Sequence, residues 1–313
     1  MKQFPSDVSR ETERVKMLFK DQKISFSDVV VPDSVGRVSL DQTYGPKDWQ
    51  RYDVYLPIKN KEKCPVVLDL QGGGLVRGRK SSEKLAPNLK LTAAGLAVVS
   101  MNYALISDRD YAFPKQVAEV RAVLGQLKKR SDEFGIDENK IYLAGESSGA
   151  QLALLTVGSI SAGVKVGHEF GLKDELEAMP KIKKVLAAYG PYEFDVFKEQ
   201  FAELGVQPKY SESGSKNSFE GLALAGHQVN ENPIAVSQGN PANYFTPAMP
   251  DLFAMAGSAD QVVPELQSME MVDRYEKLTG KKALTYWLDG AHHGIKDFDT
   301  KQVYQMKCAF FKA

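Results

Sequence analysis

The chain reads as a single α/β domain: a mostly parallel central sheet, helices on both of its faces, and one cap insertion. Three observations predict this. Short, nearly all-apolar runs recur from Tyr52 to Leu288, and helix-like stretches separate them. Runs without a polar side suit strands covered on both faces, which is the condition of a parallel sheet. Between one such run and a helical one stands a G-x-S-x-G sequence, Gly145-Glu146-Ser147-Ser148-Gly149.

The elements follow in order. Ser9 to Lys20 has Val15, Leu18 and Phe19 on one side and is expected to form a short amphipathic helix within an N-terminal helical/strand extension over about 1–50. Strands are expected at Tyr52–Leu56, Pro65–Leu70, Leu96–Met101, Lys140–Ala144, Lys184–Tyr189, Asp251–Ala256 and Ala283–Leu288. Helices are expected at Ser82–Ala94, Phe113–Phe134, Ser148–Ser159, Pro264–Thr279 and Lys301–Phe311. In the long second helix, Val117, Val120, Leu124 and Leu127 share a face. From Tyr192 to Met249 the rhythm stops. A stretch that long without a clear strand is too much for a plain connection and is expected to cap the carboxyl edge of the sheet, over about 192–249. A second insertion-like stretch, Ala162 to Met179, is expected to add to that cap.

Composition narrows the function. The 313 residues carry 40 Lys and Arg against 40 Asp and Glu, a balance that argues against nucleic-acid partners and anionic membrane surfaces. The first residues begin no apolar leader and no run approaches the length of a membrane span, so a cytoplasmic protein is the expectation. Cys64 and Cys308 make no disulfide framework and are expected as buried thiols. The four histidines are scattered and no Cys/His cluster has ligand spacing, so no metal site is expected. Oligomeric state is not encoded.

The motif supplies the chemistry. A strand-to-helix turn at G-x-S-x-G is so tight that its flanks must lack bulk; Gly145 and Gly149 give that room and Ser147 is pushed out above the sheet. A serine hydroxyl needs a base, and the base needs an orienting acid. Asp260 lies just past one strand and His293 just past the next, both at carboxyl ends, where an open α/β sheet builds its site. Asp251, Asp289 and Asp297 compete for the acid: Asp251 starts its strand at the wrong edge, and Asp289 is only four residues from His293. His292 competes for the base; the Ala-x-His-Gly register favours His293. Gln71-Gly72-Gly73-Gly74-Leu75 follows a strand, and its glycines let backbone N–H groups approach a developing oxyanion, together with the Ser148 amide. The simpler readings are a helix N-cap for Ser147, a flexible turn for Gly72 to Gly74, surface positions for His168 and His227, and ordinary packing for Phe194, Phe197, Phe201 and Phe219.

Asp53-Val54-Tyr55-Leu56-Pro57, Gly72-Gly73-Gly74, Asn102-Tyr103, Phe113-Pro114, Gly135-Ile136-Asp137, the serine motif, Asp260-Gln261-Val262-Val263-Pro264 and His293-Gly294 together carry a resemblance. The chain resembles the α/β-hydrolase superfamily, in its esterase/lipase group of hormone-sensitive-lipase-like and feruloyl-esterase-like carboxylesterases. The resemblance implies Ser147 as nucleophile, Asp260 as orienting acid, His293 as base, and Gly73, Gly74 and Ser148 as oxyanion donors. It implies a small-molecule ester as substrate and no cofactor. Three departures stand out: Gln71 where the family has His, Ala104 where it has Arg after Tyr103, and Ile295 where it has an aromatic. A carboxylesterase for short to medium acyl groups is the reading that results. Acetyl- or feruloyl-sugar ester hydrolysis is the alternative, peptidase or formamidase chemistry a variant, and a catalytically silent small-molecule receptor or a scaffold the competitors from other classes.

Overall fold

The computed structural model describes residues 26–58, 63–106, 113–167, 169–173 and 176–313. The expected helix at Ser9–Lys20 and the histidine at 168 lie outside the described residues. Eight strands form one sheet: β1 (Val35–Thr43), β2 (Arg51–Pro57), β3 (Cys64–Leu70), β4 (Ala97–Met101), β5 (Ile136–Glu146), β6 (Lys184–Ala188), β7 (Asp251–Gly257) and β8 (Leu284–Leu288). Their order is β1-β2-β4-β3-β5-β6-β7-β8; β2 runs antiparallel to both its neighbours, and β3 to β8 are all parallel. This is the mostly parallel sheet that the alternating runs predict, in the α/β-hydrolase arrangement that the resemblance implies.

Successive side chains of the central strands point to opposite faces. Val66, Leu68 and Leu70 enter one core, which the helices α1 (Val117–Lys129), α2 (Ser148–Ser161) and α6 (Leu266–Thr279) cover. Val67, Tyr142 and Ala144 enter the other, covered by residues 83–94 and by the C-terminal helix α7 (Lys301–Lys312). Every β4 side chain is buried. Near-continuous apolar runs are the cost of covering a sheet twice.

Several boundaries differ from expectation. The 82–94 stretch is a 3₁₀ turn, a single α turn at Ala86–Leu89 and a second 3₁₀ turn, because Pro87 has no N–H to continue an α ladder. Residues 113–116 form a turn before α1, and a separate helical turn, Ser131–Phe134, follows Arg130. β5 begins four residues before Lys140, its buried Ile136 pairing with Cys64 of β3 and the exposed residues 138–140 spanning a register shift. β1 emerges from the N-terminal extension as a mostly exposed edge strand.

Residues 192–249 hold no strand; they fold into α3 (Phe197–Leu204), α4 (Phe219–Ala223), α5 (Pro233–Gly239) and short 3₁₀ turns. The described part of 162–179, expected to add to the cap, contacts α1, Lys115 and the 44–50 loop. Arg121 donates to the Val164 carbonyl at 2.7 Å, Lys115 pairs with Glu169 at 3.3 Å, and Trp49 meets Phe170. The reason is geometric: α2 carries the chain away from Ser147 to the opposite edge before this segment starts. No described helix is long and apolar enough to cross a membrane.

Candidate active site

Ser147 sits between β5 and α2 with φ 51° and ψ −128°, a strained backbone for a residue with a side chain. Such a turn needs bare flanks. A Cβ on Gly149 would lie 2.0 Å from the Leu70 carbonyl oxygen, and one on Gly145 would lie 2.3 Å from the Gly149 carbonyl oxygen. The Ser147 side chain makes no N-cap bond to α2. Its Oγ lies 2.9 Å from His293 Nε2 instead.

The other end of that imidazole, Nδ1, is 2.6 Å from Asp260 Oδ2. Asp260 is buried, and its second oxygen accepts the Val262 and Val263 N–H groups at 2.8 and 2.9 Å. One carboxylate oxygen is thus held by the backbone and the other by the ring. The loops that carry acid and base are stitched by the Ala259 N–H on the Ala291 carbonyl. Strand direction therefore brings three residues from three strand ends to one place.

The competitors lie elsewhere. His292 is 70 % exposed and its Nδ1 faces Asp297 at 3.2 Å; Asp289 accepts from Ser258; Asp251 pairs with Lys281. His227 is exposed. Among the described residues no three His, Cys, Asp or Glu side chains gather as metal ligands would. Cys64 is buried and Cys308 only partly so.

The glycine loop after β3 reaches the same point. Gly73 and Gly74 have φ 135° and 64°, and among the described residues neither N–H donates to another group. Leu75 N–H is tied to Ser148 Oγ at 3.2 Å, which fixes the loop against the start of α2. Tyr103 donates to the Gln71 carbonyl at 2.8 Å and braces it from below. The Gln71 side chain, in the place of the family's histidine, is buried, and among the described residues its amide has no hydrogen-bond partner. Ala104, in place of the family's arginine, donates its N–H to Glu119 at 2.6 Å.

A cavity of about 280 Å³ joins Ser147, His293 and the glycine loop. Phe194, Phe197, Tyr210 and Phe219 from the 192–249 segment form an aromatic wall, with Leu75 and Val263 from the sheet side. Of the four phenylalanines expected as plain packing, Phe201 alone stays off this wall. Sequence reading did not find Tyr189, whose ring lies 5.0 Å from the His293 ring, or Glu146, which accepts from the Tyr189 hydroxyl at 2.8 Å. Glu146 was inside the motif, but its x position carries no pattern.

Residues 52–275 match the BD-FAE family model. The chain belongs to the BD-FAE family. Among its relatives, Esterase LipC of Mycobacterium tuberculosis (strain ATCC 25618 / H37Rv) is 23% identical over 80% of this chain and 57% of that protein. Acetyl esterase of Salmonella paratyphi B is 26% identical over 48% of this chain and 44% of that protein. The matches thus span about half the length of these relatives. Among solved structures, a truncated form of carbohydrate esterase from gut microbiota superposes with a TM-score of 0.76 at 22% identity, over 92% of this chain and 98% of that one. Esterase B from Lactobacillus rhamnosis gives 0.69 at 18%, over 91% and 86%. These BD-FAE and esterase likenesses place the fold among the α/β-hydrolases.

Proposed function

We propose that this BD-FAE protein is a serine carboxylesterase that hydrolyses esters of short to medium acids through an acyl-enzyme. One observation carries the reading: an unbroken series from Ser147 Oγ to His293 Nε2 at 2.9 Å, and from His293 Nδ1 to Asp260 at 2.6 Å, at a strained turn facing a cavity. His293 takes the Ser147 proton as Oγ attacks the ester carbonyl, and the resulting imidazolium is held by the Asp260 carboxylate. The oxyanion rests on the Gly73, Gly74 and Ser148 N–H groups, each such donor being worth ~3 kcal/mol of transition-state stabilisation. The imidazolium then protonates the leaving alcohol. Water, deprotonated by the same imidazole, attacks the acyl-enzyme and releases the acid. No metal or cofactor enters this scheme, and the partner is a small molecule.

Residues 192–249 act as the cap, and the cavity of about 280 Å³ under them suits a compact acyl group rather than a long chain. A second reading, deacylation of acetylated or feruloylated sugars, is supported by the likeness to the gut-microbiota carbohydrate esterase. The esterase names of LipC and acetyl esterase support ester rather than amide cleavage. The test is turnover of p-nitrophenyl esters from acetate to octanoate, acetylated xylo-oligosaccharides and methyl ferulate, beside labelling with a fluorophosphonate. Ser147→Ala is expected to abolish turnover and labelling while the melting temperature stays put. A wild-type protein that neither hydrolyses nor labels is a silent receptor, and the proposal fails.

A further inference from the structure

Below the serine turn lies a set of buried charged groups that the reaction scheme does not use. Tyr189 follows β6 with φ 40°, a backbone region that costs a bulky residue on the order of 1 kcal/mol or more. Its N–H donates to the Met255 carbonyl at 2.7 Å, and its hydroxyl donates to Glu146 Oε2 at 2.8 Å. Its ring, buried, meets the rings of His293 at 5.0 Å and Phe298 at 4.9 Å.

Glu146 is the residue before the nucleophile. Its other oxygen faces the Gly72 N–H at 3.4 Å and the Lys84 ammonium at 3.9 Å. One side chain therefore links the serine turn, the glycine loop and the aromatic that touches His293. Behind it is a cavity of about 20 Å³, room for one water, bordered by Asp69, Asn88, Glu146, Tyr189 and Lys307. Lys307 donates to Asn88 at 2.8 Å, and Asn88 donates to Asp69 at 2.6 Å. Lys84 and Lys307, with the carboxyl groups of Asp69 and Glu146, thus border this space.

We propose that Tyr189 and Glu146 are positioning residues for His293: the Glu146 carboxylate fixes the Tyr189 hydroxyl, and the Tyr189 ring limits rotation of the imidazole between Ser147 and Asp260. Asp260 and Ser147 each hold one ring nitrogen, but once the Ser147 oxygen carries an acyl group Asp260 alone holds the ring, and a ring held at one atom still swings. The Tyr189 ring closes that freedom, and the strained backbone is the local cost of aiming it. This rests on the esterase reading above.

The test compares Tyr189→Phe, Glu146→Gln, Glu146→Ala and Tyr189→Phe/Glu146→Ala on p-nitrophenyl acetate, with melting temperature and fluorophosphonate labelling rate. Tyr189→Phe keeps the ring and loses the bond; kcat is expected to fall about tenfold with KM unchanged, and labelling to slow in proportion. Glu146→Gln still offers an oxygen to the Tyr189 hydroxyl and is expected to keep at least about a third of kcat. The double variant should be no slower than Glu146→Ala, since both changes break one bond. Tyr189→Phe with kcat within about twofold of wild type, a loss confined to KM or melting temperature, or losses that multiply in the double variant would overturn the inference. Should Glu146→Ala not fold, Tyr189→Phe and Glu146→Gln decide alone. A wild-type protein inert to ester and label removes the esterase reading and this one with it; an active wild type with an unimpaired Tyr189→Phe removes this one only.

Discussion

Asp260→Asn discriminates between a carboxylate that orients the base and one that merely pairs with it. In the structure Oδ1 accepts two backbone N–H groups, from Val262 and Val263, and Oδ2 faces His293 Nδ1 at 2.6 Å. Asparagine fits the same space. Its oxygen must take the position between the two backbone donors, because an amide NH₂ there would meet two N–H groups. The NH₂ is thereby forced onto Nδ1, which must then accept, and the ring proton moves to Nε2, where it points at Ser147. An imidazole in that tautomer cannot take the serine proton. The expected loss is about 10,000-fold in kcat, equivalent to about 5 kcal/mol at the barrier. KM should move little, because Asp260 is buried and does not line the cavity. Steady-state kinetics on p-nitrophenyl butyrate, with a melting curve for each protein and Asp289→Asn as an exposed control, make the measurement. A variant that keeps a tenth of wild-type kcat would show that Asp260 does not set the tautomer.

Three further outcomes follow from the same geometry. His293→Ala should lose turnover by three orders of magnitude or more, on the order of 4 kcal/mol, whereas His292→Ala, mostly exposed and bound only to Asp297, should stay within about threefold; kcat/KM for the pair checks it, and a dead His292 variant refutes the assignment. Gly149→Ala should cost ~3 kcal/mol in urea unfolding, since its Cβ would fall 2.0 Å from backbone on β3 that cannot rotate away. Burial pushes Glu119 up to about 7 from its ordinary 4.5, so the folded state holds a proton that the unfolded chain releases. That stabilisation is complete below about pH 4.5 and is lost as pH rises through about 7, a swing on the order of 3 kcal/mol. The stability difference between wild type and Glu119→Gln, followed by urea midpoints from pH 5 to pH 8, should therefore change with that sign.

What could be read from the chain was what repeats or what is locally strained. The strands inside the sheet show as apolar runs because they are packed on two faces, and the seven expected strands are seven of the eight in the sheet. β1 escapes because it is an exposed edge strand, with polar residues at most of its positions and no two-sided core to force an apolar run. The 82–94 helix was misjudged because apolar spacing does not register a missing N–H at Pro87. Ser147, Asp260 and His293 were readable because each follows a strand, so strand direction alone brings them to one edge. Tyr189 also follows a strand, yet an aromatic there is indistinguishable from packing until its φ and its partners are known.

The three departures from the family pattern show why a site can outlast changes in its frame. Ala104 offers no cation, but its N–H binds the buried Glu119 carboxyl group, which also accepts from Trp49 at 2.7 Å and from Tyr44 at 3.2 Å. These partners lie far apart in sequence and share no period, so no reading of the chain could have joined them. Glu119 thereby fixes the 102–106 loop through the backbone, and the Tyr103 hydroxyl passes that support to the Gln71 carbonyl at the base of the glycine loop. Gln71 itself contributes only main chain to this brace, which is why its side chain can differ from histidine without moving Gly73 and Gly74. Ile295 borders the small charged cavity beneath the serine turn rather than the cavity above it. Gln71 and Ala104 therefore act through main-chain atoms that any side chain would leave in place, and Ile295 lies away from the cavity that would meet a substrate.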